Sequence, residues 1–140
     1  MDRREFIKSG CSWCLAMGAG VLLLPLASCS GVNIYKTNLN SNTIHVPIKL
    51  FDKTTMQMIR VPELDYDIAL RKAKNGNYLA LLLKCTHADN ALIYTGHGFM
   101  CSLHGSTYDG IGTVKQGPAE RPLKRLVTEV IQDNIVIHLG

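Results

Sequence analysis

The sequence predicts an all-β domain of short, mostly antiparallel strands. Apolar and polar residues alternate from Ile44 to Leu50, which is the period of a strand with one buried face. Further short apolar segments recur as far as residue 139, separated by glycine, aspartate and asparagine, and no segment after residue 30 has a helical period. With 140 residues, 46% of them hydrophobic and 19% charged, the chain is long enough for one ordinary globular domain plus a targeting segment.

The local pattern places each predicted strand. Asn75-Gly76 is a hairpin signal between residues 67–72 and the apolar run from Tyr78 to Leu83, so Cys85 is expected directly after a buried strand. The predicted strands are 44–50, 67–72, 78–83, 92–94, 106–108, 126–131 and 135–139. The segments between them are expected to be loops, and two of these loops contain cysteine and histidine pairs.

The N-terminal 42 residues differ from the rest of the chain. Arg3-Arg4-Glu5-Phe6-Ile7-Lys8 resembles a twin-arginine export signal, an apolar run follows it, and Leu26-Ala27-Ser28-Cys29 resembles a bacterial lipobox. These features predict a signal peptide over residues 1–28, a lipidated Cys29, a tether over residues 29–42 and a folded domain over residues 43–140. The expected protein is a membrane-anchored bacterial lipoprotein facing the periplasm or the cell exterior. An uncleaved membrane anchor is the alternative, because about 20 apolar residues can span a bilayer.

Two short segments supply a matched set of metal ligands. Cys85-Thr86-His87 and Cys101-Ser102-Leu103-His104 each offer one thiolate and one imidazole. Thiolates are soft donors that suit iron–sulfide clusters, whereas neutral imidazoles add no negative charge and keep a second ring nitrogen that can bind a proton. Two cysteines and two histidines also suit tetrahedral zinc, although zinc fingers pair cysteine with cysteine and histidine with histidine. The residue types alone therefore leave open an iron–sulfur site and a zinc-stabilised binding module.

The pattern C-x-H, a spacer and then C-x-x-H-G resembles the Rieske iron–sulfur proteins. The resemblance implies layered antiparallel β-sheets with two cluster-binding loops that hold one [2Fe–2S] cluster. It places Cys85 and Cys101 on one iron, and His87 and His104 on the other. Because imidazoles replace two thiolates, such a cluster is less negative and accepts an electron more readily than an all-cysteine cluster.

Several residues near the four ligands also match the Rieske pattern at individual positions. The resemblance implies that the Ser106 hydroxyl donates to a bridging sulfide and that Tyr108 donates to the sulfur of Cys85, and both bonds would raise the potential. The segment Gly117-Pro118-Ala119-Glu120-Arg121-Pro122 resembles the proline-containing loop that covers the cluster, with Gly117, Pro118 and Pro122 as its stiffening residues.

Three positions depart from the Rieske subunits of cytochrome bc-type complexes. Those subunits have an additional cysteine in each cluster loop, and the two cysteines form a disulfide. This chain has Asn90 and Leu103 at those places, and it has Asp89 where a glycine is usual. Its two loops are therefore expected to be held together by packing and hydrogen bonds.

These features favour a membrane-tethered one-electron carrier that is a component of an oxidoreductase complex rather than a catalyst on its own. The expected setting is the iron–sulfur subunit of a quinol-oxidising or similar respiratory complex, with cytochrome b or c type partners and His104 facing the donor. The alternatives are a small subunit of a larger oxidoreductase such as a molybdenum enzyme, and a Rieske ferredoxin. The ferredoxin is less favoured, because a soluble ferredoxin needs no export signal. The sequence has no basic stretch interleaved with aromatics, so a nucleic-acid partner is not expected.

Overall fold

The computed structural model describes residues 32–140; the expected signal peptide and the lipidated Cys29 lie outside this range. The described residues contain eleven strands and one short 3₁₀ helix. Among them, no helix has both the length and the apolar character needed to cross a membrane. The strands are β1 (Ile34–Lys36), β2 (Thr43–Pro47), β3 (Met56–Arg60), β4 (Ile68–Lys72), β5 (Tyr78–Leu82), β6 (Ile93–Tyr94), β7 (Gly98–Met100), β8 (Thr107–Asp109), β9 (Val114–Gln116), β10 (Arg125–Ile131) and β11 (Asn134–His138).

The strands form two sheets. The larger sheet has the order β1-β3-β4-β5-β10-β11-β2, and the smaller has the order β6-β7-β8-β9. All neighbouring strands are antiparallel except β1 and β3, which are parallel. The prediction of an all-β fold with antiparallel sheets is therefore confirmed.

Two apolar clusters lie on opposite faces of the central strands. Ile68 and Leu70 of β4 belong to the first cluster, with Ile44 and Ile137 from the far side of the larger sheet. The alternate residue Ala69 belongs to the second cluster, which includes residues of the smaller sheet. Successive side chains of a strand point to opposite faces, so a strand between two clusters is apolar throughout. This explains the continuous apolar run from Tyr78 to Leu83.

The β4–β5 hairpin forms as predicted. The Gly76 N–H donates to the Ala73 carbonyl over 3.0 Å, and Gly76 has a φ of 84°. A type I turn followed by a left-handed residue is a common connection in such hairpins, and glycine takes the left-handed position without strain. The hairpin directs β5 toward the second cluster, and Cys85 comes three residues after the end of that strand at Leu82.

The boundaries of two predicted segments need correction. The strand expected over residues 44–50 ends at Pro47, and residues 48–51 form the 3₁₀ helix Ile48–Phe51. Pro47 pairs with Asn134, the first residue of β11, so the partner strand extends no further. The expected tether includes β1, in which Tyr35 packs against the first cluster. The folded domain therefore begins near residue 34 rather than at residue 43.

Candidate metal centre

The two Cys/His segments fold into matching turns. In the first turn, the Cys85 N–H donates to the Asn90 carbonyl (2.8 Å) and the Asp89 N–H donates to the Cys85 carbonyl (3.0 Å). In the second turn, the Cys101 N–H donates to the Ser106 carbonyl (2.8 Å) and the Gly105 N–H donates to the Cys101 carbonyl (3.0 Å). Each cysteine thus occupies the first position of an equivalent hydrogen-bonded loop. We call these loops cluster loop 1 (residues 85–90) and cluster loop 2 (residues 101–106).

The two candidate cysteine ligands are buried, whereas the two candidate histidine ligands are exposed. Cys85 and Cys101 are fully buried members of the second apolar cluster, and both are free thiols. His87 and His104 are exposed at the loop tips, where their ring centroids lie 5.0 Å apart with planes at 89°. The structure therefore brings the two imidazoles together at the exposed loop tips and places both sulfurs in the buried cluster. Among the described residues, no three histidine, cysteine, aspartate or glutamate side chains are arranged to hold a single metal ion.

The environment of Cys85 favours its thiolate form. Burial raises the pKa of this thiol, but hydrogen bonds from the Tyr108 hydroxyl, from the backbone of His87 and Ala88 and from Cys101 lower it, and the net shift is downward. A thiolate is the form that binds a metal. The loop therefore supplies a sulfur ligand that is ready for iron although it lies inside the protein.

Tyr108 joins cluster loop 1 to the smaller sheet. Its hydroxyl lies 3.5 Å from the Cys85 Sγ, accepts the Thr86 N–H over 3.1 Å and lies 3.1 Å from the Thr86 Oγ1. Burial, and then the contact with Cys85, raise the pKa of the Tyr108 hydroxyl, so it stays protonated as a donor. Its position depends on Gly98 of β7, because a methyl group there would collide with the Tyr108 carbonyl.

Ser106 connects cluster loop 2 to the covering loop. This fully buried hydroxyl accepts the Ala119 N–H over 3.0 Å. Since that bond uses the oxygen as an acceptor, the hydroxyl hydrogen stays free to donate to a bound group. The sequence assigned Ser106 to the site but did not indicate the bond to Ala119.

The proline-containing loop is also attached to cluster loop 1. The Thr86 Oγ1 donates to the Arg121 carbonyl over 2.6 Å, and the Arg121 Nη2 lies 3.5 Å from the Thr86 carbonyl. Gly117, Pro118 and Pro122 are exposed. The role of Thr86 was missed from the sequence, because a threonine between two ligands gives no signal of a partner 35 residues away.

The donor set fits a [2Fe–2S] group. Cys85 and Cys101 would hold one iron and His87 and His104 the other, since soft thiolates and neutral imidazoles are the ligands that such a centre takes. When bound, the cluster accepts and returns one electron. The protein contributes buried thiolates, hydroxyl donors that stabilise added negative charge, and imidazoles open to solvent.

An all-β fold with two Cys/His loops of this kind defines a class of iron–sulfur electron carriers. Comparison with known families identifies the class: the model of the Rieske [2Fe-2S] domain matches residues 45–128, which is more than half of the chain. The chain belongs to the Rieske family. It is a Rieske-type electron carrier with one [2Fe–2S] cluster, and the zinc-stabilised module that the residue types left open is not supported.

Individual relatives agree with this assignment. The chain is 38% identical over 61 residues, or 42% of its length, to the cytochrome b6-f complex iron-sulfur subunit 2 of Nostoc sp., of which the match covers 34%. It is 34% identical over 80 residues, or 55% of its length, to the ubiquinol-cytochrome c reductase iron-sulfur subunit of Rickettsia felis, of which the match covers 45%. The chain thus spans less than half of the length of these curated relatives.

A solved structure supports the fold. The plasma membrane Rieske protein PetC3 from Synechocystis PCC 6803 superposes with a TM-score of 0.54 at 22% identity, over 67% of this chain and 97% of that one. This likeness concerns the architecture, since the identity is low.

Proposed function

We propose that this protein is a membrane-tethered one-electron carrier, the iron–sulfur subunit of a quinol-oxidising or similar respiratory complex. The observation that carries the proposal is the exposed imidazole pair of His87 and His104 above the buried Cys85 and Cys101. Apolar packing closes the sulfur side, so a partner has access to the centre at the imidazole face. The relatives from the cytochrome b6-f and ubiquinol-cytochrome c reductase complexes support this setting.

The tips of the loops have the character of a docking face. Leu103 lies between Cys101 and His104 with 61% of its surface exposed, so it offers an apolar contact beside a ring nitrogen. An exposed imidazole bound through one nitrogen keeps the other for a hydrogen bond and a proton. A hydroxyl-bearing donor such as quinol could therefore hydrogen-bond to the free ring nitrogen of His104, which would take up one proton while one electron passes to the cluster.

The proposed attachment keeps the domain near the membrane. If Cys29 is lipidated, five residue steps connect it with Ile34, where β1 begins. Five steps span at most about 18 Å. The domain would then lie close to the membrane surface, where it could pass an electron to a membrane-bound cytochrome.

The electron-carrier function is tested with reconstituted protein and two histidine variants. Iron and acid-labile sulfide are measured, the reduced protein is studied by electron paramagnetic resonance, and the potential is measured by voltammetry. We expect two irons and a reversible one-electron couple, lost or strongly shifted in His104→Ala and retained in His97→Ala, since His97 is exposed and lies in neither cluster loop. One zinc in place of two irons, or the same couple in His104→Ala, would contradict the proposal.

The membrane setting needs a separate test in cells that produce the full chain. We expect the protein in the membrane fraction, released by Cys29→Ser, and co-purifying with a b-type cytochrome whose quinol oxidation depends on it. Co-purification with a molybdenum enzyme would replace the quinol-oxidising complex by the larger-oxidoreductase alternative. Quantitative recovery of the unmodified chain in the soluble fraction would contradict the tether.

A further inference from the structure

Cluster loop 1 contains a conformation that glycine provides in cluster loop 2. Asp89 and Gly105 hold the same place in the two matched loops, and both are left-handed, with φ values of 58° and 77°. An L side chain is disfavoured in this region, although aspartate is among the residues that tolerate it. Cluster loop 1 therefore needs an interaction that cluster loop 2 does not.

Two contacts reach Asp89, and a third joins the two residues that make them. The Tyr66 hydroxyl donates to the Asp89 carbonyl over 2.6 Å, and the Lys84 Nζ lies 3.1 Å from the Asp89 Oδ2. The same Nζ lies 5.5 Å from the centroid of the Tyr66 ring, within cation–π range. Tyr66 comes just before β4, so these contacts join the larger sheet to cluster loop 1.

The hydrogen bond from Tyr66 acts on the peptide unit that closes the loop. It fixes the carbonyl of the Asp89–Asn90 peptide, and the next carbonyl, that of Asn90, accepts the Cys85 N–H. The Asp89 N–H in turn donates to the Cys85 carbonyl. Holding Asp89 thus holds both backbone bonds that orient Cys85.

The ion pair is the weaker part of this arrangement. The Asp89 side chain is 71% exposed, and ion pairs in water contribute little to stability. The tyrosine bond is short and spans 23 residues of sequence. It is therefore the contact that restrains the loop.

We propose that Tyr66 is a positioning residue for the cluster. Its hydroxyl holds the left-handed turn at Asp89 and thereby the ligands Cys85 and His87. The two loops of this chain have Asn90 and Leu103 in place of a second pair of cysteines, so no disulfide between such cysteines can restrain them. The inference rests on the proposed function in that it assigns the cluster to these ligands. It adds a residue outside both cluster loops.

Tyr66→Phe tests the proposal, and Tyr94→Phe is the matched control. The Tyr94 hydroxyl also donates to a backbone carbonyl, that of Gly96, over 2.6 Å, but in a surface turn outside both cluster loops. The reconstituted protein is mixed with an iron chelator, and the rate of iron release is measured from the decrease in cluster absorbance. We expect release from Tyr66→Phe to be about fivefold faster than from the wild type, the factor that one ordinary hydrogen bond contributes to an equilibrium. Tyr94→Phe should match the wild type.

Two further readouts separate positioning from general destabilisation. The electron resonance lines of the reduced protein should broaden in Tyr66→Phe only, because a looser loop distributes the ligand geometry. Hydrogen exchange should accelerate over residues 84–91 and stay unchanged in β10 and β11. Equal iron release from the two variants, or unaltered exchange over residues 84–91, would overturn the proposal. If the wild type binds no iron, the electron-carrier function fails, whereas the exchange comparison still decides the role of Tyr66.

Discussion

The Tyr108 hydroxyl has one hydrogen and two neighbours that can accept it. The Thr86 hydroxyl donates its own hydrogen to the Arg121 carbonyl, so the Thr86 Oγ1 can only accept from Tyr108. The Cys85 Sγ is the second acceptor, 3.5 Å away. The strength of the donation to sulfur therefore depends on the competition with Thr86, and the two substitutions Tyr108→Phe and Thr86→Val should have opposite effects on the potential.

The magnitude follows from the contact distances. Hydrogen bonds to charged groups contribute about 1.5–3 kcal/mol, and the long, shared contact to Cys85 reduces this to about 1 kcal/mol in favour of the reduced, more negative centre. For a one-electron couple, a tenfold change in equilibrium is about 59 mV. Tyr108→Phe should lower the potential by about 40 mV, and Thr86→Val should raise it by up to about the same amount.

Protein-film voltammetry at fixed pH and ionic strength measures both shifts, with Tyr94→Phe as the control for loss of a remote hydroxyl. Iron content is determined for each variant so that only fully loaded protein is compared. A potential within about 10 mV of the wild type in Tyr108→Phe, a small fraction of the shift expected from one hydrogen bond, would refute the assigned donation. A lower reduction potential in Thr86→Val would refute the competition between Thr86 and Cys85 for the Tyr108 hydrogen, without affecting the conclusion drawn from Tyr108→Phe.

Three substitutions and one control test the packing of the site and of the domain. Ser106→Ala should leave the buried Ala119 N–H of the proline-containing loop without an acceptor. The melting temperature, measured by calorimetry, should fall by several degrees, because an unsatisfied buried group costs about 1–3 kcal/mol. An unchanged melting temperature would contradict the hydrogen bond between Ser106 and Ala119. Gly98→Ala should collide with the Tyr108 backbone and destabilise the fold by about 1–3 kcal/mol in denaturant titration; wild-type stability would show that β7 can shift. Ile137→Ala should cost about 2–5 kcal/mol, whereas Val127→Ala, 70% exposed, should stay within about 0.5 kcal/mol; similar losses would contradict the placement of the core.

The sequence was most informative where periodicity or turn chemistry acts locally. The β4–β5 and β10–β11 hairpins have strong apolar segments joined by turn residues, and their strands lie within a residue or two of the predicted bounds. β3 was missed, because Gln57, Met58 and Ile59 are all buried and the strand has no alternation. β1, β7 and β9 were missed as well, whereas the similarly short β6 and β8 were predicted, so a segment of two or three residues gives an unreliable signal of a strand.

The ligands of the candidate site could be predicted from the sequence, because their chemistry depends on residue type and local spacing. Two thiolates and two imidazoles in mixed pairs define a ligand set without any structure. The contacts of Thr86 with Arg121 and of Tyr66 with Asp89 join segments that are 35 and 23 residues apart. A single sequence cannot specify such pairs, since each partner is an ordinary loop residue when considered alone.

The separation of sulfur from nitrogen follows from where each ligand stands in its turn. The first residue of each cluster loop lies close to the end of the strand before it, so Cys85, three residues after the end of β5, and Cys101, directly after β7, lie in the apolar cluster between the sheets. Residues two and three positions later are at the tip, where His87 and His104 meet solvent. The spacings C-x-H and C-x-x-H therefore fix the depth of each ligand, and they give a Rieske site a dry sulfur side and a wet imidazole side before any partner is present.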